Sequence, residues 1–149
     1  MRKNIKNYTS EIPVNRLINK IQELLASKKA DKIMIDYVAG EPIGIAFLIS
    51  TPRGLMPIRL PARIEGVARV MYGANLDQLR DTQIAQVKRT AWRNIHDWID
   101  AQMALIETEM VKLEEVFLPY MVVDENQTFF ERFESGKLKL NSGENNAHN

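Results

Sequence analysis

Two histidines, His96 and His148, and no cysteine restrict the chemistry open to these 149 residues. Without cysteine there is no disulfide, no thiol nucleophile and no cysteine-ligated zinc or iron–sulfur site. No Gly-x-Ser-x-Gly elbow is present to hold a serine nucleophile. His96 and Asp100 stand four apart, a spacing that puts both on one helix face and can hold a divalent cation. No second pair of that kind completes a ligand set. The expected state of His96 is therefore a partly exposed helix histidine beside a carboxylate, with no metal. Paired acids occur at Glu107/Glu109, Glu114/Glu115 and Asp124/Glu125. General acid–base work needs two such groups in one cleft with separated pKa values, and acids on a polar face are ordinarily just solvated. Neither glycine-rich phosphate cradle is found, and no cofactor is expected. These absences point to a protein that is not an enzyme.

The basic residues are the stronger signal. Residues 53 to 93 carry eight basic side chains, seven of them Arg, against three acidic ones. Residues 94 to 134 reverse this, with two basic and ten acidic side chains. A chain of net charge +1 can thus present one basic and one acidic region, and separated charge is a mark of partner binding. The candidate contacts to nucleic acid are Arg53, Arg59, Arg63, Arg69, Lys88, Arg89 and Arg93, since arginine forks grip phosphates. Trp92 lies among them and could stack on an exposed base. The same residues also have an internal reading. Arg93 can pair with Asp97 one helical turn on, Arg69 can reach Glu65, and Trp92 can belong to the core. The acids at the end of a long helix oppose its dipole, so something else must favour them. A basic partner, solubility, or pairing with the arm at Arg2, Lys3 and Lys6 would do so. Two partners follow as expectations: nucleic acid through the arginines, or a protein partner or second copy through complementary charge.

These side chains need a frame, and hydrophobic spacing predicts one. Val14, Leu17, Ile18, Ile21, Leu24 and Leu25 recur at three and four, so a helix should open at Pro13 as its first residue. Lys32 to Tyr37 reads as a strand, Ala39 to Pro42 as a turn. The nearly all-apolar Ile43 to Ser50 reads as a central strand. Thr51-Pro52-Arg53-Gly54 suits a type I turn. Leu55 to Leu60 reads as an edge strand, because Pro57 cannot donate a backbone hydrogen bond. After Pro61 a helix stripe runs to Gly73. A long helix is expected from about Asn75 to residue 108. Pro119 to Val123 looks extended, and Thr128 with Glu131 has capping-box spacing. The expected fold is α+β. An N-terminal helix precedes a three-stranded antiparallel meander covered on one face by helices. A short and a long helix then pack on the sheet, and an irregular C-terminal segment follows.

Length favours one domain, residues 1–140, with a disordered polar tail at 141–149. About 70% of the unfolded chain's surface can be buried at this size, so folding needs no metal or disulfide. No stretch approaches the roughly 20 apolar residues of a membrane span, and no signal-peptide core follows the basic N-terminus. A cytoplasmic protein without membrane contact is expected, and glycosylation patterns at Asn7 and Asn126 then carry no meaning.

Two resemblances add to this reading. Ala91-Trp92-Arg93-Asn94-Ile95-His96-Asp97-Trp98, continued to Met103, and Val116-Phe117-Leu118-Pro119-Tyr120 resemble small uncharacterised proteins of bacteriophages, prophages and other mobile elements. Ile12-Pro13 and Arg59-Leu60-Pro61 belong to the same likeness. It covers most of the chain, brings no active site, and implies an accessory role in a phage or mobile-element programme in a bacterial cell. The order helix, three strands, helix from Pro13 to Gly73 is similar to the double-stranded-RNA-binding domain. That family's second helix opens on a lysine cluster, whereas here the segment reads Pro61-Ala62-Arg63-Ile64-Glu65. The family's histidine-bearing strand loop is absent.

Overall fold

The computed structural model describes residues 5–124, 126–136 and 140. Helix α1 spans Val14–Ser27. Pro13 stands at its N-cap instead of its first turn, with φ −58° and ψ 143°, and its carbonyl accepts the N–H groups of Arg16 and Leu17. The apolar stripe seen in the sequence is buried at Leu17, Ile18, Ile21 and Leu25. Three strands follow: β1 (Ala30–Val38), β2 (Glu41–Thr51) and β3 (Gly54–Pro61). They form an antiparallel meander in the order β1-β2-β3, so Pro57 lies on an edge strand as its missing N–H requires. The β1–β2 turn places Ala39 and Gly40 at φ 51° and 79°, the primed turn that matches the twist of a hairpin.

Helix α2 spans Ile64–Tyr72 and stops at Gly73. The long helix α3 begins at Asp81, not near Asn75, and runs to Glu107. Two glutamines explain the delay. Gln78 Oε1 accepts the backbone N–H of Asn75, and Gln83 Oε1 accepts that of Arg80. Each glutamine thereby starts its own turn, a 3-10 turn at Leu76–Gln78 and then α3. Helix α4 (Leu113–Phe117) leads into a second 3-10 turn, Leu118–Tyr120. Pro119 is tolerated in the first positions of that turn, so extended backbone begins only at Met121, just before β4 (Val122–Asp124). β4 pairs with β5 (Gln127–Thr128), and α5 covers Phe129–Glu134. The capping box expected at Thr128 is present, with the hydroxyl accepting from the Glu131 N–H. The polar tail at 141–149 lies outside the described residues.

Two apolar clusters hold these elements. The larger joins Leu17, Ile21 and Leu25 of α1, Ile45, Phe47 and Ile49 of β2, Ile58 and Leu60 of β3, and Trp92, Ile99 and Met103 of α3. Phe117 of α4 is fully buried there, edge-on to Phe47 at 5.3 Å and to Trp98 at 5.7 Å. The smaller cluster joins Ala68 and Met71 of α2 to Val87 of α3, with Ile5 and Tyr8 packed against them. Helix α3 therefore has two jobs, backing the sheet and seating α2 together with the N-terminal segment.

Candidate interaction surface

The structure turns most of the eight sequence-chosen residues to contacts within the chain and brings two of them, Arg59 and Arg63, to one cleft. Trp92 is 1% exposed and belongs to the core, so it cannot stack on a base without unfolding α3. Lys88 Nζ lies 2.8 Å from Glu41 Oε2, joining α3 to the β1–β2 hairpin. Arg89 donates from Nε to the Ser10 carbonyl (3.3 Å) and from Nη2 to Gln86 Oε1 (2.6 Å). Arg93 Nε lies 3.1 Å from Asp97 Oδ1, close enough for an ion pair but not angled as a hydrogen bond. Arg59 reaches the Asn126 carbonyl and lies 3.4 Å from Glu131 Oε1. Three cations keep no acidic partner among the described residues. Arg53 is at the β2–β3 turn, Arg63 stands before α2 with its guanidinium 6.0 Å from the Phe130 ring centre, and Arg69 is exposed on α2. Glu65, the acid expected to pair with Arg69, accepts the Leu76 N–H at 3.3 Å instead.

The polar face of α3 is occupied by residues 5–10. Asn7, at φ 64°, donates from Nδ2 to Asn94 Oδ1 (2.8 Å) and Asp97 Oδ2 (2.9 Å). Gln86 Nε2 donates to the carbonyls of Tyr8 (2.9 Å) and Ser10 (3.0 Å). Thr90 Oγ1, fully buried, lies between the carbonyls of Gln86 and Asn7. Lys6 Nζ is 3.5 Å from Asp97 Oδ2, so one residue of the basic arm meets one acid of α3; Arg2 and Lys3 lie outside the described residues. Burial alone would raise the Asp97 pKa. Hydrogen bonds from His96 and Asn7 and the charges of Arg93 and Lys6 outweigh it and hold the carboxyl down to about 2. His96 Nδ1 turns to Asp97 Oδ1 at 3.0 Å, not to Asp100. Among the described residues no group of three or more metal-ligating side chains forms.

The surface that the sequence reading missed is the other face of the sheet. Paired residues share a face, and the register sets four rows there: Ser50–Leu55, Asp31–Leu48–Pro57, Met34–Ala46–Arg59, and Asp36–Gly44–Pro61. Met34, Ala46, Leu48 and Leu55 belong to neither apolar cluster. Met34 is 59% and Leu55 65% exposed. A sheet face meant for water carries polar side chains at alternate positions. Here the central strand carries buried Gly44, half-buried Ala46 and Leu48, and exposed Ser50. The signal was legible in the nearly all-apolar run of Ile43 to Ser50, which implies burial on both faces, although the described residues cover chiefly one.

One side of this face has a wall. Met121 bridges Ile58 at the β3 edge, and β4, β5 and α5 follow. Arg59, Gly44 and Asp36 of the face together with Tyr120, Thr128 and Glu131 of the wall enclose a cleft of about 600 Å³. The Glu131 carboxyl is held below the usual range, first by the Thr128 backbone N–H and also by Arg59. No helix among the described residues is long and apolar enough to cross a membrane. The chain matches no protein-family model, no curated protein and no solved structure.

Proposed function

We propose that this protein is a non-enzymatic interaction module that docks a protein partner on the open face of its sheet. The observation that carries the reading is the makeup of that face, apolar and small along β2 and flanked by the exposed Met34 and Leu55. Apolar surface left partly exposed in this way marks a protein contact. Four of the seven candidate cations hold the fold together through Glu41, Ser10, Asp97 and Glu131, which leaves fewer for an external phosphate backbone. An accessory role in a phage or mobile-element programme is compatible with such a module.

The test is affinity capture from nuclease-treated bacterial lysate with wild type, Ala46→Glu and the triple variant Arg53→Glu/Arg63→Glu/Arg69→Glu. A stoichiometric partner lost only from Ala46→Glu supports the reading. Capture unaffected by Ala46→Glu overturns it.

Nucleic-acid contact is a second reading, favoured by Arg53, Arg63 and Arg69, which have no acidic partner among the described residues. Three phosphate contacts would give a slope of log K against log salt of about −3 on duplex DNA. Fluorescence anisotropy with labelled single- and double-stranded oligonucleotides at low salt measures this. Binding that survives the triple reversal removes the assignment to these arginines.

A further inference from the structure

We infer that the occupant of the open face is a second copy of this chain, packed face to face about a twofold axis parallel to β2. The inference rests on reading that face as the docking surface.

The charge order across the face supports a second copy over an unrelated partner. Asp31 and Asp36 lie on the β1 side and have no hydrogen-bond or ion-pair partner among the described residues. Arg59 lies on the β3 side, and uncharged Gly44, Ala46 and Leu48 run between them. A twofold axis along the strands keeps each row at its own level and exchanges left with right. β1 of one copy then lies over β3 of the other, and Ala46 faces Ala46. Arg59 comes to lie over Met34 of the second copy, with Asp36 one row away on one side and Asp31 on the other. The surface is therefore complementary to itself, as an isologous contact requires, and the small central residues allow two sheets to approach to about 10 Å.

The wall strengthens the fit. It stands beyond β3, so in this arrangement it falls beyond the β1 edge of the other copy. There it meets Tyr37 and Val38, 60% and 59% exposed, at the same end of the sheet as the cleft. The wall offers exposed Phe130 and Phe133 in return. Three strands about 4.8 Å apart and eight residues long project only about 400 Å², roughly half of what a standard interface buries per partner. The face alone gives a weak dimer, and the two flanks raise it toward standard size.

Sedimentation equilibrium from micromolar to submillimolar protein tests the inference. Wild type should show a concentration-dependent dimer, and Ala46→Glu should stay monomeric while keeping its circular dichroism. Asp36→Arg and Arg59→Asp should each weaken self-association about tenfold through like-charge contact. Mixed in equal amounts they should associate more strongly than either alone, because Arg59 of the Asp36→Arg chain faces Asp31 and Asp36 of the other, and the exchanged charges at 36 and 59 face each other. Asp31→Arg repeats the weakening at a residue with no in-chain partner among the described residues, should Arg59→Asp disturb the Glu131 contact. A wild type that is monomeric throughout, or a dimer indifferent to Ala46→Glu, overturns the second copy. If wild type is monomeric but Ala46→Glu still abolishes lysate capture, the face docks another protein and only the present inference fails.

Discussion

Asp97 of α3 gathers four polar partners, Asn7, His96, Arg93 and Lys6. Its carboxyl titrates near 2 in the fold against an ordinary 3.8, so between these values the unfolded chain binds more protons. Stability from this group is complete above about pH 4 and falls away as the pH drops toward 2. Urea midpoints measured across that range should decline for wild type and decline less for Asp97→Asn. Asn7→Ala removes a donor to the same carboxylate and places alanine at positive φ. It should lower stability by about 1.5–3 kcal/mol, the range for hydrogen bonds to charged groups, read from urea unfolding at neutral pH. The pairing of Arg93 with Asp97 was legible in the sequence because helix geometry dictates it at four residues' spacing. The contact of Asn7 with Asp97 was not, since no local rule links positions 90 residues apart.

At the scale of elements, caps and close approaches decide the boundaries. Thr128→Ala should destabilise the protein by about 1 kcal/mol through loss of the α5 cap, and thermal unfolding followed by circular dichroism measures it. Gly44 permits a tighter contact: a Cβ there would lie 2.8 Å from the Leu60 carbonyl oxygen. Gly44→Ala should therefore cost about 1–3 kcal/mol, as overpacking does, and the same melt tests it. The meander, α1, α2 and the Thr128 box could all be read from periodicity and turn residues. The start of α3 could not. Asn75 is an acceptable cap, and only the competing side chains of Gln78 and Gln83 show why the helix waits until Asp81.

For the molecule as a whole, the sorted charge of the sequence is folded back on itself in part. Arg59 meets Glu131, and Arg93 and Lys6 meet Asp97. Lys28 meets Glu107 at 2.6 Å. Linear charge order could not reveal this, because pairing depends on which elements the topology brings together. What the composition of β2 did carry, an apolar run too long for one covered face, became the open surface. The core, by contrast, is ordinary in its demands: Phe117→Ala removes the ring between Phe47 and Trp98 and should cost about 3–5 kcal/mol, measured by urea denaturation. The segment at residues 5–10 sets an order of assembly. Its anchors Asn94 and Asp97 lie 87 and 90 positions downstream, past the whole meander, α2 and about half of α3. Closing so long a loop gains nothing until those elements exist. During synthesis the segment emerges early and docks late, so Ile5 and Tyr8 spend that interval exposed while the rest of the protein forms.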